Sequence, residues 1–219
     1  LVDIVHPTMT KAEAMEYFGA RPEAKRILLM PGSRKQEVLS LLDVMLESGE
    51  CLMQSHEDVQ FFLPRAHTID RSELEAFIKE RKVPVTITEN HTYDLMQICD
   101  VCLAASGTAT LETAMMELPT VLLYKVSPIT YGIGKMVVNL THVGLPNIVA
   151  GKEVIPELLQ GDVSVDSIVN TVLPLLDDLH INQSMRTELR GVKEKLGESG
   201  AVYRVAQLIY DLGKERINE

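Results

Sequence analysis

Ile27-Leu28-Leu29-Met30-Pro31-Gly32-Ser33-Arg34-Lys35 passes from an unbroken apolar run, through a Pro-Gly turn, into the start of a helical pattern. Consecutive apolar residues, as opposed to alternating ones, predict a strand covered by helices on both faces. Similar runs follow at Val59–Leu63, Val83–Thr88, Val101–Ala105, Thr120–Lys125 and Leu145–Val149. Amphipathic stretches separate them. Thr10 with Glu13 reads as a capping box opening a helix that ends near Gly19. Leu39, Leu42, Met45 and Leu46 form the helical stripe of the next, and Leu74, Phe77 and Ile78 that of a third. Strand alternating with helix predicts an α/β fold, a Rossmann-like parallel sheet of about six strands with helices on both faces.

Beyond the sixth run the pattern is helical: Asp166 to about Leu179, Met185 to Leu196, and Gly200 onward with Val202, Val205, Leu208, Ile209 and Leu212. The organisation expected is one domain over residues 1–219. Its terminal helices, about 164–219, would pack on that domain or on a further domain outside this chain, and an exposed stripe there would favour a homodimer or a swap.

Composition narrows the function. With 46% hydrophobic residues, the 219-residue chain can bury a sizeable core. Thirty-one acidic against 21 basic side chains give a net charge of -10, and there is no Lys/Arg run and no Trp, which argues against a nucleic-acid partner. Cys51, Cys99 and Cys102 lack the spacing of a disulfide framework, pointing to a reducing, cytoplasmic setting. The Cys99–Cys102 CxxC has no second pair to complete a metal site. No apolar run approaches the ~20 residues of a membrane span, so membrane contact would be peripheral. The opening Leu1-Val2-Asp3, without Met or signal features, reads as a cut within a longer protein.

Two loops carry the chemistry. Pro31-Gly32-Ser33-Arg34 joins a strand to a helix. Glycine lets backbone N–H groups approach a ligand, the helix end is positive, and Arg34 offers a fork for phosphate oxygens. Ala105-Ser106-Gly107-Thr108-Ala109-Thr110-Leu111-Glu112 repeats the arrangement with hydroxyls at Ser106, Thr108 and Thr110, and Glu112 lies one turn in, placed to accept from sugar hydroxyls. The loops follow the first and fourth strands, which neighbour each other in the order 3-2-1-4-5-6, so both would face one crevice. Asn147 interrupts the sixth apolar run, as either a buried structural amide or a ligand contact. His67 and His91 fall after the second and third strands, on the rim or in capping roles, and Asp94 and Asp100 receive no catalytic role. Tyr131-Gly132-Ile133-Gly134-Lys135 lacks the strand and third glycine of a dinucleotide loop and reads as structural.

The string Leu28 to Val38, the segment Ala105 to Glu112, and Gly144 to Lys152 followed by Pro156-Glu157-Leu158-Leu159-Gln160 together resemble, in order and spacing, the second half of lipid-A-disaccharide synthases. The resemblance implies the C-terminal, donor-binding domain of a GT-B fold. It implies a metal-independent, inverting transfer, with no cofactor, of 2,3-diacylglucosamine from UDP-2,3-diacylglucosamine to the 6-hydroxyl of 2,3-diacylglucosamine 1-phosphate. On it, Gly32, Ser33 and Arg34 would meet the leaving diphosphate, Ser106, Gly107 and Thr108 would donate to it, Glu112 would hold the ribose and Asn147 would face the donor; Arg34 and Asn147 would be the catalytic pair. The general base and the acceptor surface would lie in the N-terminal half of the same polypeptide, so the fragment alone would bind donor without turnover. The resemblance also links Ser127 to His142 with the inner-membrane surface, a segment whose Ile129, Tyr131, Ile133, Met136, Val137 and Val138 suit either a bilayer or a packed helix. The rival readings are a UDP-N-acetylglucosamine 2-epimerase or another GT-B enzyme, and, in another class, a non-catalytic nucleotide-binding or assembly module.

Overall fold

Apolar side chains on consecutive positions must be covered from both sides, and the computed structural model shows how. It describes residues 1–126 and 141–217. Six parallel strands form one sheet: β1 (Lys25–Met30), β2 (Val59–Pro64), β3 (Val85–Thr88), β4 (Val101–Ala105), β5 (Thr120–Tyr124) and β6 (Glu157–Leu159), in the order β3-β2-β1-β4-β5-β6. On one face Ile27 and Leu29 pack with Leu42, Met45 and Leu46 of α2 (Lys35–Ser55), with Leu74 and Ile78 of α3 (Arg71–Lys79), and with Ile168 and Val172 of α7 (Val165–Asp177). On the other face Leu28, Phe62 and Cys102 meet Ala14 of α1 (Lys11–Tyr17) and Leu95 and Met96 of α4 (Thr92–Met96). Near β5, Leu122 packs with Leu111 and Ala114 of α5 (Thr108–Met115) and Leu189 and Val192 of α8 (Leu179–Lys195). Burying one such aliphatic side chain contributes about 1.5–3 kcal/mol, so the three clusters dominate the stability.

Local signals placed most boundaries. Thr10 accepts from the Glu13 amide while the Glu13 carboxylate accepts from the Thr10 amide, the capping box expected for α1. Leu39 departs from its expected core role: the buried face of α2 runs through Val38, Leu41, Leu42 and Met45, and Leu39 stands off it, 50% exposed. Helix α7 also ends earlier than its periodicity suggests. The Asp178 carboxylate accepts from the His180 and Ile181 amides and starts α8 at once.

The sixth strand requires a correction. Leu145–Val149, predicted as a strand, lies in the helix α6 (Leu145–Ala150), and the sixth strand is Glu157–Leu159 instead. Pro just inside the start and a left-handed Gly151 just past the end, φ +75°, favour a short helix over a strand. Asn147, within α6, is fully buried and reaches the turn that links the helix to β6. Its Nδ2 donates to the Ile155 carbonyl at 2.9 Å and to Glu157 Oε1 at 2.7 Å, and its Oδ1 accepts from the Val154 and Ile155 amides at 2.7 and 2.9 Å. The amide's hydrogen-bonding capacity is consumed. Glu157 in turn accepts from the Val143 and Gly144 amides, both at 2.9 Å.

The N-terminal segment is fastened at the opposite side of the sheet. Asp94, 1% exposed, accepts from the Thr8 and Met9 amides at 2.6 Å each, from Thr8 Oγ1 at 2.8 Å, and contacts His91 Nδ1 at 3.3 Å. Burial alone would raise its carboxyl pKa; the hydrogen bonds from Met9 and Thr8 outweigh that and hold it below the ordinary value. Helix α9 (Ala201–Ile217) carries Tyr203, Val205, Leu208, Ile209 and Tyr210 exposed to between 55 and 73%.

Two stability predictions follow from these buried polar groups. Asn147→Ala strands the Val154 and Ile155 amides, removes a donor from the Ile155 carbonyl and from Glu157, and is expected to cost about 2–4 kcal/mol in urea unfolding; a loss under about 0.5 kcal/mol would show that water replaces the side chain. Because folding lowers the Asp94 pKa, its contribution is complete above the ordinary carboxylate value near pH ~4 and declines as pH falls through the lowered folded value. The acid limb of the stability curve should therefore flatten in Asp94→Asn, and an unchanged limb would assign the acid sensitivity elsewhere.

Candidate functional site

In a parallel sheet the chain leaves every strand at the same edge, and where strand order reverses the outgoing loops diverge and leave a crevice. Here the reversal falls between β1 and β4, whose registers pair Met30 with Ala104. A cavity of about 890 Å³ opens at that point, walled by the loops after β1, β2, β3 and β4 and by the N-terminal segment. Both anion loops of the sequence line it. So do Gly32, Ser33, Arg34, Ser106, Gly107, Thr108 and Glu112, which are all the predicted donor residues except Asn147. Asn147 is not among the lining residues, and its full set of internal hydrogen bonds gives it a structural role in place of the expected donor contact.

The two loops are built differently. Gly32 has φ +112°, and a Cβ there would stand 2.7 Å from Glu37 Oε2 and 3.5 Å from Ala105 Cβ, so the two loops already touch. Thr68 Oγ1 donates to the Ser33 carbonyl at 2.5 Å, bracing the first loop from the β2 side. Arg34 projects with its side chain 82% exposed, and its Nη1 donates to Glu37 Oε1 at 2.8 Å. Gly107, the N-cap of α5, has φ +155° and ψ −166°, a region essentially restricted to glycine, and its surface faces open space. Thr110, expected as a donor, is fully buried and donates inward to the Gly107 carbonyl at 2.8 Å, stiffening the turn. Ser106 and Thr108, with the first-turn amides of α5, remain as donors toward the cavity.

Glu112 lines the same wall one turn into α5, half-buried, and burial raises its carboxyl pKa. Tyr93 of α4 is its neighbour: burial first, then the Glu112 charge, raise the phenol. His67 and His91 both reach the cavity, as their positions after β2 and β3 suggest. Asn90 and His91 take left-handed backbone in succession, φ +61° and +52°, which turns the loop sharply into α4. Sequence reading missed Thr8, Arg65, Tyr93 and Asp94. Arg65 and Tyr93 carry only the signal that they lie just past strand ends; Asp94 and Thr8, 86 residues apart, meet through tertiary contact alone.

The remaining candidates fall away from the site. Cys99 and Cys102 are free and fully enclosed, and burial drives the Cys99 thiol far above its ordinary pKa. Among the described residues no cluster of three metal-ligating side chains occurs. Most of the Ser127–His142 segment and the whole Tyr131–Lys135 motif lie outside the described residues.

Solved structures share this fold. WaaG, a glycosyltransferase involved in lipopolysaccharide biosynthesis, matches with a TM-score of 0.59 at 14% identity, over 94% of this chain and 51% of that one. The S. aureus MnaA–UDP co-structure matches with a TM-score of 0.60 at 13% identity, over 91% and 48%. Curated relatives are far nearer in sequence. The lipid-A-disaccharide synthase of Geobacter sulfurreducens is 42% identical over 98% of this chain and 56% of its own length, and that of Syntrophus aciditrophicus is 39% identical over 98% and 56%. The chain thus spans about half the length of the curated relatives it matches. The family model described as lipid-A-disaccharide synthetase matches residues 1–208, and the chain belongs to that family.

Proposed function

We propose that this chain is the donor-binding half of a GT-B glycosyltransferase that makes the lipid A disaccharide. The observation that carries the proposal is the shared crevice: the Arg34 loop and the Ser106–Thr108 turn sit on adjacent parallel strands and line one cavity. A diphosphate there would accept from Ser106, Thr108 and the α5 amides, with Arg34 opposite, and the ribose hydroxyls would donate to Glu112. Charge builds on UDP as the glycosidic bond breaks, and fixed donors lower the barrier because they are already oriented. The 6-hydroxyl of the acceptor, 2,3-diacylglucosamine 1-phosphate, attacks the anomeric carbon of UDP-2,3-diacylglucosamine from the opposite face, inverting it. The proton it loses is taken by a base in the other half of the enzyme.

The family supplies the substrate identities, and the fold neighbour MnaA of S. aureus, solved with UDP, fits the same ligand class. In this reading Gly32 and Ser33 line the diphosphate, and Asn147 acts at a distance by shaping the α6–β6 turn. The exposed face of α9 meets the enzyme's other half, and in this chain alone it favours a homodimer that sedimentation velocity would reveal. No helix among the described residues is long and apolar enough to cross a membrane. Contact with the cytoplasmic surface of the inner membrane is part of the proposal, and liposome flotation tests it.

Titration calorimetry with UDP should give measurable binding to the 219-residue chain. Arg34→Ala should weaken it at least about tenfold, the loss of one charge-assisted contact to phosphate. Glu112→Gln should weaken UDP by about three- to tenfold at neutral pH. Because burial raises the Glu112 pKa, wild type loses its advantage over Glu112→Gln as pH falls, beginning above the ordinary glutamate range. No heat at millimolar UDP would overturn the diphosphate assignment; a pH-independent ratio between the two proteins would remove Glu112 from the ribose.

A further inference from the structure

The anion site of the β1–α2 loop already contains an anion. Glu37 lies in the first turn of α2, where the helix end favours negative charge, and it lines the cavity. One carboxylate oxygen accepts from Arg34 Nη1 at 2.8 Å, while the other lies 2.7 Å from where a Cβ on Gly32 would stand. The three features that would select a phosphate are a guanidinium, a bare glycine backbone and a helix N-terminus. Glu37 binds the first of these and lies beside the other two, with one oxygen over Gly32 and its own position in the first turn of α2.

We infer that Glu37 is a built-in counter-ion that competes with a ligand phosphate for Arg34 and must yield before that phosphate can pair with the guanidinium. The inference rests on the diphosphate reading of this cavity. The pair is suited to displacement. Arg34 is 82% exposed and Glu37 33% exposed, and an ion pair so open to water is worth about 0–1 kcal/mol. A diphosphate, with more than one negative charge and several acceptor oxygens, outcompetes a single carboxylate for the guanidinium. The carboxylate therefore tempers the affinity for a phosphate ligand by the cost of giving up its hold on Arg34.

Glu37→Gln tests this, because it keeps the side chain's shape and removes only its charge. Calorimetric titration of the 219-residue chain with UDP and UMP in low salt should show the variant binding UDP about three- to tenfold more tightly than wild type, the scale of one like charge removed at a partly exposed site. UMP should gain as well, by no larger a factor than the more highly charged UDP, and added salt should shrink both gains. Thermal unfolding without ligand should be unchanged to within a degree or two, showing that the loop keeps its shape. Unchanged or weaker UDP binding by the variant, with wild type still binding, would overturn the inference and make Glu37 an orienting partner of Arg34 while leaving the diphosphate site intact. Absence of UDP binding by both proteins would instead remove the diphosphate reading, and this inference with it.

Discussion

Everything in this molecule that concerns function depends on two parallel strands lying side by side at the point where strand order reverses. β1 and β4 hydrogen-bond to each other while their outgoing chains turn to helices on opposite faces, so neither loop covers the other's strand end. The crevice is a consequence of connectivity, and its chemistry comes from what the chain puts there: glycines where backbone must be exposed, hydroxyls and amides along the wall, and two arginines, Arg34 and Arg65. Gly32 and Gly107 make this possible for different reasons. The first accommodates the Glu37 carboxylate where a Cβ would collide; the second holds a backbone conformation that other residues avoid.

The site is also an electrostatic compromise. A chain with net charge -10 repels a nucleoside diphosphate at long range, so attraction must be supplied locally, by Arg34, by Arg65 and by oriented amides. Acidic groups nevertheless stand inside the crevice, each under a different restraint. Asp94 is saturated by amides and a hydroxyl and serves as an anchor for the Thr8–Met9 segment. Glu112 is partly desolvated, and burial raises its pKa. Glu37 is paired to the arginine and open to water. Three carboxylates within one cavity thus have three functions, separated by burial and by what donates to them.

The region following β5 shows why buried polar side chains need full satisfaction. Asn147 and Glu157 together hold the backbone on both sides of α6, the Val154 and Ile155 amides of the α6–β6 turn and the Val143 and Gly144 amides that precede the helix. This turn carries β6 onto the edge of the sheet, pairing Leu122 with Glu157 and Leu123 with Leu158. Of the two readings the sequence left open for Asn147, buried structural amide or ligand contact, its internal hydrogen bonds support the first.

The sequence by itself determined the parallel α/β class, five of the six strands, the capping box of α1 and both glycine loops. These are written in period, capping chemistry and turn residues, which act over a few positions and are legible without neighbours. It also placed the loops in one crevice through the rule for doubly wound sheets. Only the tertiary structure decided that Leu145–Ala150 is helical, because a short apolar run suits either element and packing against α5 and α8 chooses between them. It alone joined Asp94 to Thr8, set the Glu37 carboxylate over Gly32 and spent the Asn147 amide internally. Each of these depends on where a side chain's polar atoms end up relative to chain folded back from elsewhere, and hydrogen-bond satisfaction in three dimensions has no periodic signature in one.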